Sequence, residues 1–152
     1  MLTPKQHEIL LQGINASRIA QRKGGGGRSL SYLEAWDVKA HMNRIFGFLN
    51  WSADVLSAEL SYEDNSDGKW NVGYRVILRL AVNGATYTEA AVGSATLPQR
   101  GEAHDMAIKT AESDAFKRAA INLGDQFGLS LYNNGSVQPV VKQTLITPEV
   151  TE

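Results

Sequence analysis

A chain of 152 residues with 43% hydrophobic and 20% charged residues has the apolar content of one ordinary globular domain. With no cysteine, disulfides, thiolate catalysis and thiolate metal sites are excluded, and His7, His41 and His104 lack the spacings of a zinc site. A net charge of −1 argues against a generic polyanion binder, and with no membrane-length apolar run and no charged-then-apolar leader the default expectation is an intracellular protein.

The charge is unevenly distributed. Residues 1–50 carry seven basic and three acidic residues, 51–68 carry five acidic and none basic, and 69–135 carry seven basic and six acidic. Any positive surface must therefore be local and assembled by folding.

Thr3-Pro4 is an N-cap followed by proline at the first helical position, and Ile9, Leu10 and Ile14 predict a short amphipathic helix to about residue 20. Arg22-Lys23-Gly24-Gly25-Gly26-Gly27-Arg28 follows. It reads either as a flexible linker or as bare amides flanked by three cations that approach a phosphate backbone. A P-loop fits poorly: Gly27 precedes Arg28-Ser29 instead of Lys-Ser/Thr, and a helix instead of a strand comes before it. Ser31-Tyr32-Leu33-Glu34 has the capping-box pattern and predicts a helix through Phe46, closed by Gly47. Ala35, Val38, Met42 and Ile45 make its core stripe, widened by Leu33, Trp36 and Ala40. Tyr32 is either packed with its hydroxyl exposed or available to stack on a base.

Three strands are expected next. In 50–62 the apolar parity switches from Trp51, Ala53 and Val55 to Leu56, Ala58, Leu60 and Tyr62, which predicts a bulge near 55–56. An acidic turn, 63–68, leads to 69–82, where Trp70, Val72, Tyr74, Val76, Leu78, Leu80 and Val82 alternate without a break. Arg75 and Arg79 share the opposite face, as solubilising groups or as the lining of a groove. Asn83-Gly84 predicts a type I′ hairpin, with 85–93 as the third strand. In Glu102–Gly124, alanine recurs at 103, 107, 111, 115 and 119, a ridge with almost no side-chain bulk that lets a helix lie close on a sheet. Lys117 and Arg118 stand near its C-terminal end, either as solvated cations or as an anion grip. The expected fold is α+β: a three-stranded antiparallel sheet packed on a long Ala-rich helix, preceded by N-terminal helices. Residues 1–134 form the domain, and 135–152 a tail that is extended, disordered or a partner-binding arm.

Four segments carry a resemblance: Ser31–Trp36, Phe46–Trp51, Asp67–Tyr74, and Glu112–Ala119 with its Asp-Ala-Phe-Lys-Arg-Ala run. In this order and spacing, over about residues 17–132, the chain resembles the Rad52 family of single-strand annealing proteins, including its bacterial and phage members. The resemblance implies a closed ring of about ten or eleven subunits, with a groove that holds single-stranded DNA backbone-inward, without ATP or metal. By motif position it implies Arg22 and Tyr32 in the groove wall, Lys117 and Arg118 at its floor, Lys69 at a second, outer DNA site and Arg100 near another such cation. Lys23, Arg28, Arg75 and Arg79 complete the candidate DNA-binding set from charge placement. Ile121 stands where family members commonly add an arginine, and the long C-terminal half that recruits a recombinase in eukaryotic members has no counterpart in these 152 residues.

The expectation is thus a non-enzymatic, cofactor-free annealing protein of recombination and double-strand break repair. Its expected partners are single-stranded DNA, further copies of itself and a host single-strand-binding protein, with no membrane, in a bacterial or phage setting. The alternatives are an end-protecting scaffold of the same fold and a nucleotide-binding enzyme using Gly24–Gly27.

Overall fold

The computed structural model describes residues 1–142. A seven-residue helix, α1 (Pro4–Leu10), opens the chain, capped reciprocally by the Thr3 hydroxyl and the Gln6 side chain. It ends well short of residue 20. The chain then makes a short 3-10 turn at Ala16–Arg18 and enters a hairpin of β1 (Ala20–Lys23) and β2 (Ser29–Tyr32). The predicted capping box is thereby overturned. Ser31 and Tyr32 are strand residues, α2 (Ala35–Phe46) begins three residues after Tyr32, and Glu34 caps it without a side-chain bond. Ser31 lies opposite Gln21 in the β1–β2 register and is therefore held in a strand, away from the start of the helix.

Helix α2 buries Val38, Met42 and Ile45 as its spacing predicts. Trp36 departs from expectation: at 70% exposure it faces solvent instead of widening the core. Asn50 and the turn after Gly47 lead into a meander of β3 (Trp51–Ser66), β4 (Lys69–Val82) and β5 (Ala85–Leu97), ordered β3-β4-β5 and antiparallel throughout. Strands β3 and β5 each run four residues past their predicted ends. The acidic stretch from Glu63 to Ser66 pairs with Val72 to Lys69, and only Asp67-Gly68 is left as the turn. Asn83-Gly84 makes the predicted tight turn with φ of 49° and 85°, and Asp67-Gly68 repeats it at 53° and 73°. The β3–β4 register slips between Val55 and Ser57, where the parity switch placed a bulge, and again between Leu60 and Tyr62.

The inner face of the sheet, led by Val72, Val76, Leu78, Leu80 and Val82, is covered by α3 (Arg100–Ala120). Ala103, Ala107, Ala111, Ala115 and Ala119 are all fully buried. The low ridge brings α3 so close to β5 that a Cβ on Gly93 would meet the backbone nitrogen of Ala111 and lie 2.6 Å from the Ala107 carbonyl oxygen. Consecutive 3-10 turns carry the chain from Ile121 to Tyr132 beneath α2, burying Phe127 against Phe46 at 6.1 Å between ring centroids.

A buried ionic knot joins three distant segments. Arg18 donates through Nε and Nη2 to the Asp37 carboxylate and through Nη1 to the Gln126 carbonyl. Gln126 in turn donates to the carbonyls of Gln12 and Gly13 and accepts from His41 at 2.8 Å. Arg44 donates to His41 Nδ1, so the imidazole carries its proton on Nε2 and is neutral. Burial, with Arg18 and Arg44 nearby, holds the His41 pKa below its ordinary value. Within the expected tail, the backbone amides of Val140 and Val141 donate to Asp125 Oδ2 at 3.1 and 3.0 Å. The rest of that tail, 143–152, lies outside the described residues.

Candidate nucleic-acid interface

The glycine run has a definite job in the fold. Gly24–Gly27 closes the β1–β2 hairpin, with φ of 73° at Gly26 and 75° at Gly27, a backbone that side chains disfavour. The Gly24 amide donates to the Arg28 carbonyl at 2.6 Å. A hairpin turn is not a phosphate loop, since no helix follows it directly to aim its amides at an anion.

The hairpin register sets up the first pair of site residues. Ala20 lies opposite Tyr32 and Leu30 opposite Arg22, so Arg22 is the diagonal neighbour of Tyr32 on one face. The Arg22 guanidinium accordingly sits 5.4 Å from the Tyr32 ring centroid. The Tyr32 hydroxyl donates to Glu34 Oε1 at 3.0 Å. That bond, with some desolvation, raises the phenol pKa above its ordinary value of 10.0, and Arg22 opposes the shift.

Helix α3 supplies the second pair. Its ridge fixes Ala115 and Ala119 against the sheet, and Phe116 is buried beside Trp51 at 5.9 Å between centroids. The intervening Lys117 and Arg118 therefore emerge from under the helix toward the hairpin, and Lys117 Nζ reaches 5.5 Å from the same Tyr32 ring. Arg118 lies 3.5 Å from Glu89 of β5, and Lys117 lies 3.6 Å from Asp114 one turn back.

Hairpin, α3 and the free side of β5 enclose an open cleft of ≈ 1180 Å³. Arg22, Arg28, Tyr32, Arg75, Lys117 and Arg118 all line it, so six of the ten candidate residues converge on one place. Arg75 reaches it from the outer face of β4, where it also pairs with Glu59 at 2.6 Å, and Val92 lies opposite it in register. Among the described residues, Asp114 is the one carboxylate in that lining. It is not among the residues expected from the sequence, although its i, i+3 spacing from Lys117 is a visible signal. The closing segment contributes Tyr132, Asn134 and Gly135.

The other four candidates do not line the cleft. Lys23 is at the hairpin turn, paired with Ser29 in register. Arg79 is held by Asp54 at 3.2 Å. Lys69 begins β4 beside Trp70, and the Arg100 guanidinium lies 4.9 Å from the Trp70 ring while donating twice to Glu63. Glu63 also accepts from His104, whose other ring nitrogen meets the Tyr74 hydroxyl at 2.6 Å. Arg100 and His104 together hold the Glu63 carboxyl below its usual range. Among the described residues no three His, Asp or Glu side chains are placed to hold a metal ion.

An α+β domain of helix, hairpin, three-stranded meander and ridge helix, with five cations and a tyrosine around one cleft, is the architecture these residues define. Residues 4–149 match the Rad52/22 family of double-strand break repair proteins, and the chain belongs to that family. It is 32% identical over 142 residues to the DNA repair and recombination protein rti1 of Schizosaccharomyces pombe, covering 91% of this chain and 38% of the relative. Identity to the DNA repair and recombination protein RAD52 of Saccharomyces cerevisiae is 31% over 137 residues, covering 88% and 29%. Identity to rad22 of S. pombe is 29% over 138 residues, again covering 88% and 29%. The chain thus spans well under half the length of these relatives.

Proposed function

We propose that this protein binds single-stranded DNA without regard to sequence and anneals complementary strands in recombination and double-strand break repair. It does so as a homo-oligomer and without catalysis, nucleotide or metal. The observation that carries the reading is the convergence of Arg22, Arg28, Arg75, Lys117 and Arg118, with Tyr32, on one open cleft. Cations on rigid strands and a helix suit a phosphate backbone, and a grip on the backbone leaves base edges free to test a second strand. Membership of a double-strand break repair family, and relatives named for DNA repair and recombination, support the same role.

Oligomerisation follows from scale. Five cleft cations on one copy hold a phosphate chain weakly and with strong salt dependence, whereas a ring repeats them along a continuous strand. Among the described residues one edge of β3 is unpaired, with Val55, Leu56, Leu60 and Tyr62 exposed on that strand, which suits a neighbouring copy. Lys69 and Arg100, outside the cleft, are proposed as part of a second, outer DNA contact.

The test is annealing of two complementary labelled oligonucleotides, followed by fluorescence, without nucleotide or metal and across a salt series. Fast annealing that fades as salt rises is expected. Binding without annealing would favour an end-protecting scaffold, and no binding at low salt would overturn the reading.

A further inference from the structure

Two cations share one ring. Arg22 and Lys117 come from a strand and a helix that are 95 residues apart in sequence (117 − 22), yet both stand within 5.5 Å of the Tyr32 centroid. Two like charges meeting in a cleft repel each other, and the negative face of the ring that both approach offsets that repulsion and favours both positions. The Tyr32 hydroxyl is tied to Glu34 in the strand-to-helix link, so the ring is itself anchored. From this geometry we infer that Tyr32 is a positioning residue: it holds Arg22 and Lys117 for phosphate by cation–π contact, and does not act as a stacking platform for bases. The inference rests on the cleft being the nucleic-acid site, and it assigns Tyr32 a specificity role within that site. A ring engaged by cations gives the strand a grip that depends on phosphates alone and is blind to base identity.

The ring and the hydroxyl make separable contributions. Tyr32→Phe keeps the quadrupole and removes only the Glu34 bond, whereas Tyr32→Leu keeps apolar bulk and removes the quadrupole. Two cation–π interactions at a partly exposed site correspond to about tenfold in affinity.

The experiment measures binding of the full chain to two strands of equal length, oligo-dT and a fully abasic deoxyribose-phosphate strand, over a salt series. Thermal melting of each variant establishes that it folds. Tyr32→Leu is expected to weaken both strands by the same factor, about tenfold, and to lower the salt slope by about 0.7 for each phosphate that is no longer neutralised. Tyr32→Phe, which keeps the ring but loses its anchor on Glu34, is expected to weaken both strands by a smaller factor than Tyr32→Leu. A second measurement does not depend on the absolute affinity of the leucine variant: Arg22→Gln should weaken binding less in the Tyr32→Leu background than alone, the sign of a coupled pair. If Tyr32→Leu weakens dT but leaves the abasic strand untouched, the ring stacks on bases and the inference is wrong. If it changes neither strand, or if the Arg22 effect is the same in both backgrounds, the cations do not need the ring and the inference is equally wrong. Failure of the wild-type chain to bind either strand is a different result, which removes the cleft itself as a DNA site and this role with it.

Discussion

Gly93 is where β5 and α3 come closest, and replacing it tests how the domain positions its basic helix. A methyl group at Gly93 would meet the Ala111 nitrogen, lie 2.6 Å from the Ala107 carbonyl oxygen and 2.9 Å from the Ala111 Cα, all of them backbone atoms. None can rotate away, so Gly93→Ala must lift a 21-residue helix from the sheet. Overpacking of this kind costs about 3 kcal/mol, at the upper end of the usual range because the obstacle is main chain. For a domain of this size that lowers the melting temperature by about 6–12 °C. Gly73 supplies the control. A methyl there would clash as severely, but with the ring of Tyr62, an exposed side chain that can swing into solvent. Removing a glycine from a strand also recovers about 0.5–1 kcal/mol, so Gly73→Ala is expected to melt within about 3 °C of wild type. Thermal unfolding followed by circular dichroism measures both. Since α3 also carries Lys117 and Arg118, Gly93→Ala should weaken single-strand binding as well. The reasoning fails if Gly93→Ala melts within about 2 °C of wild type, or if Gly73→Ala proves the more damaging of the two.

Charge reversal in the cleft, by Lys117→Glu or Arg118→Glu, should weaken single-stranded DNA binding and flatten its salt slope by about 0.7 for each phosphate released, with an unchanged melting curve. Fluorescence anisotropy at several salt concentrations checks it, and unchanged affinity would remove these residues from the interface. Asp37→Ala should destabilise the domain by about 3 kcal/mol, the low end for a broken buried pair, because it leaves the partly buried Arg18 guanidinium with only the Gln126 carbonyl; urea denaturation would show a midpoint shift, and a destabilisation under about 1 kcal/mol would mean Arg18 finds another partner. Because the folded His41 pKa is below its ordinary 6.5, the unfolded chain takes up this proton first as pH falls. The stability from a neutral His41 is therefore full above pH 6.5 and declines below it toward the folded pKa. Denaturation at about pH 7.5 and about pH 5.5 should show the decline in wild type and a smaller one in His41→Gln; equal declines would assign it to other groups.

Much of the fold is legible because its signals are local and periodic. The unbroken alternation of β4, the Asn83-Gly84 turn, the parity switch at Val55-Leu56 and the alanine ladder of α3 each specify geometry within a few residues. The β1–β2 hairpin escapes for an equally local reason. Ser31 and Glu34 match a capping box, and a four-residue strand of Ser-Leu-Ser-Tyr has too little pattern to compete with it. Only pairing with Ala20–Lys23 decides the matter, and that pairing is tertiary information. Trp36 departs from its expected place because helical spacing gives an angular position without saying how wide the covered face is. For the candidate site, the cations of the hairpin, of β4 and of α3 are visible singly. Their convergence is not readable from spacing, since Arg22, Arg75 and Lys117 meet only when the meander places β5 between them; the family resemblance names two of them as one groove. Of the Glu63–Arg100–His104–Tyr74 set only Arg100 is a candidate from the sequence, because the hydrogen-bonded partners are 30 to 41 residues apart and join through a β3 extension that reads as a turn.

A net charge of −1 and a cationic cleft are compatible because the sheet separates the two kinds of charge. The acidic run of residues 51–68 becomes β3, whose Asp54 and Glu59 stand opposite Arg79 and Arg75 on the outer face. Those carboxylates neutralise arginines that would otherwise spread positive potential across the whole sheet. Around the cleft, Arg22, Arg28, Arg75, Lys117 and Arg118 stand with Asp114 as the one carboxylate among the described lining residues, while Arg75 and Arg118 are also paired with Glu59 and Glu89, which are not part of that lining. Exposed charges farther apart than a Debye length of about 8 Å at physiological salt are largely screened, so a polyanion responds to the local excess of cations in the cleft more than to the net charge of the chain. A polyanion is then held where it lies in the cleft and gains little elsewhere on the surface. The same separation explains why whole-chain composition, which argues against a generic polyanion binder, does not argue against this cleft: a generic binder needs net positive charge, whereas a groove needs only that its counter-charges be folded to another face.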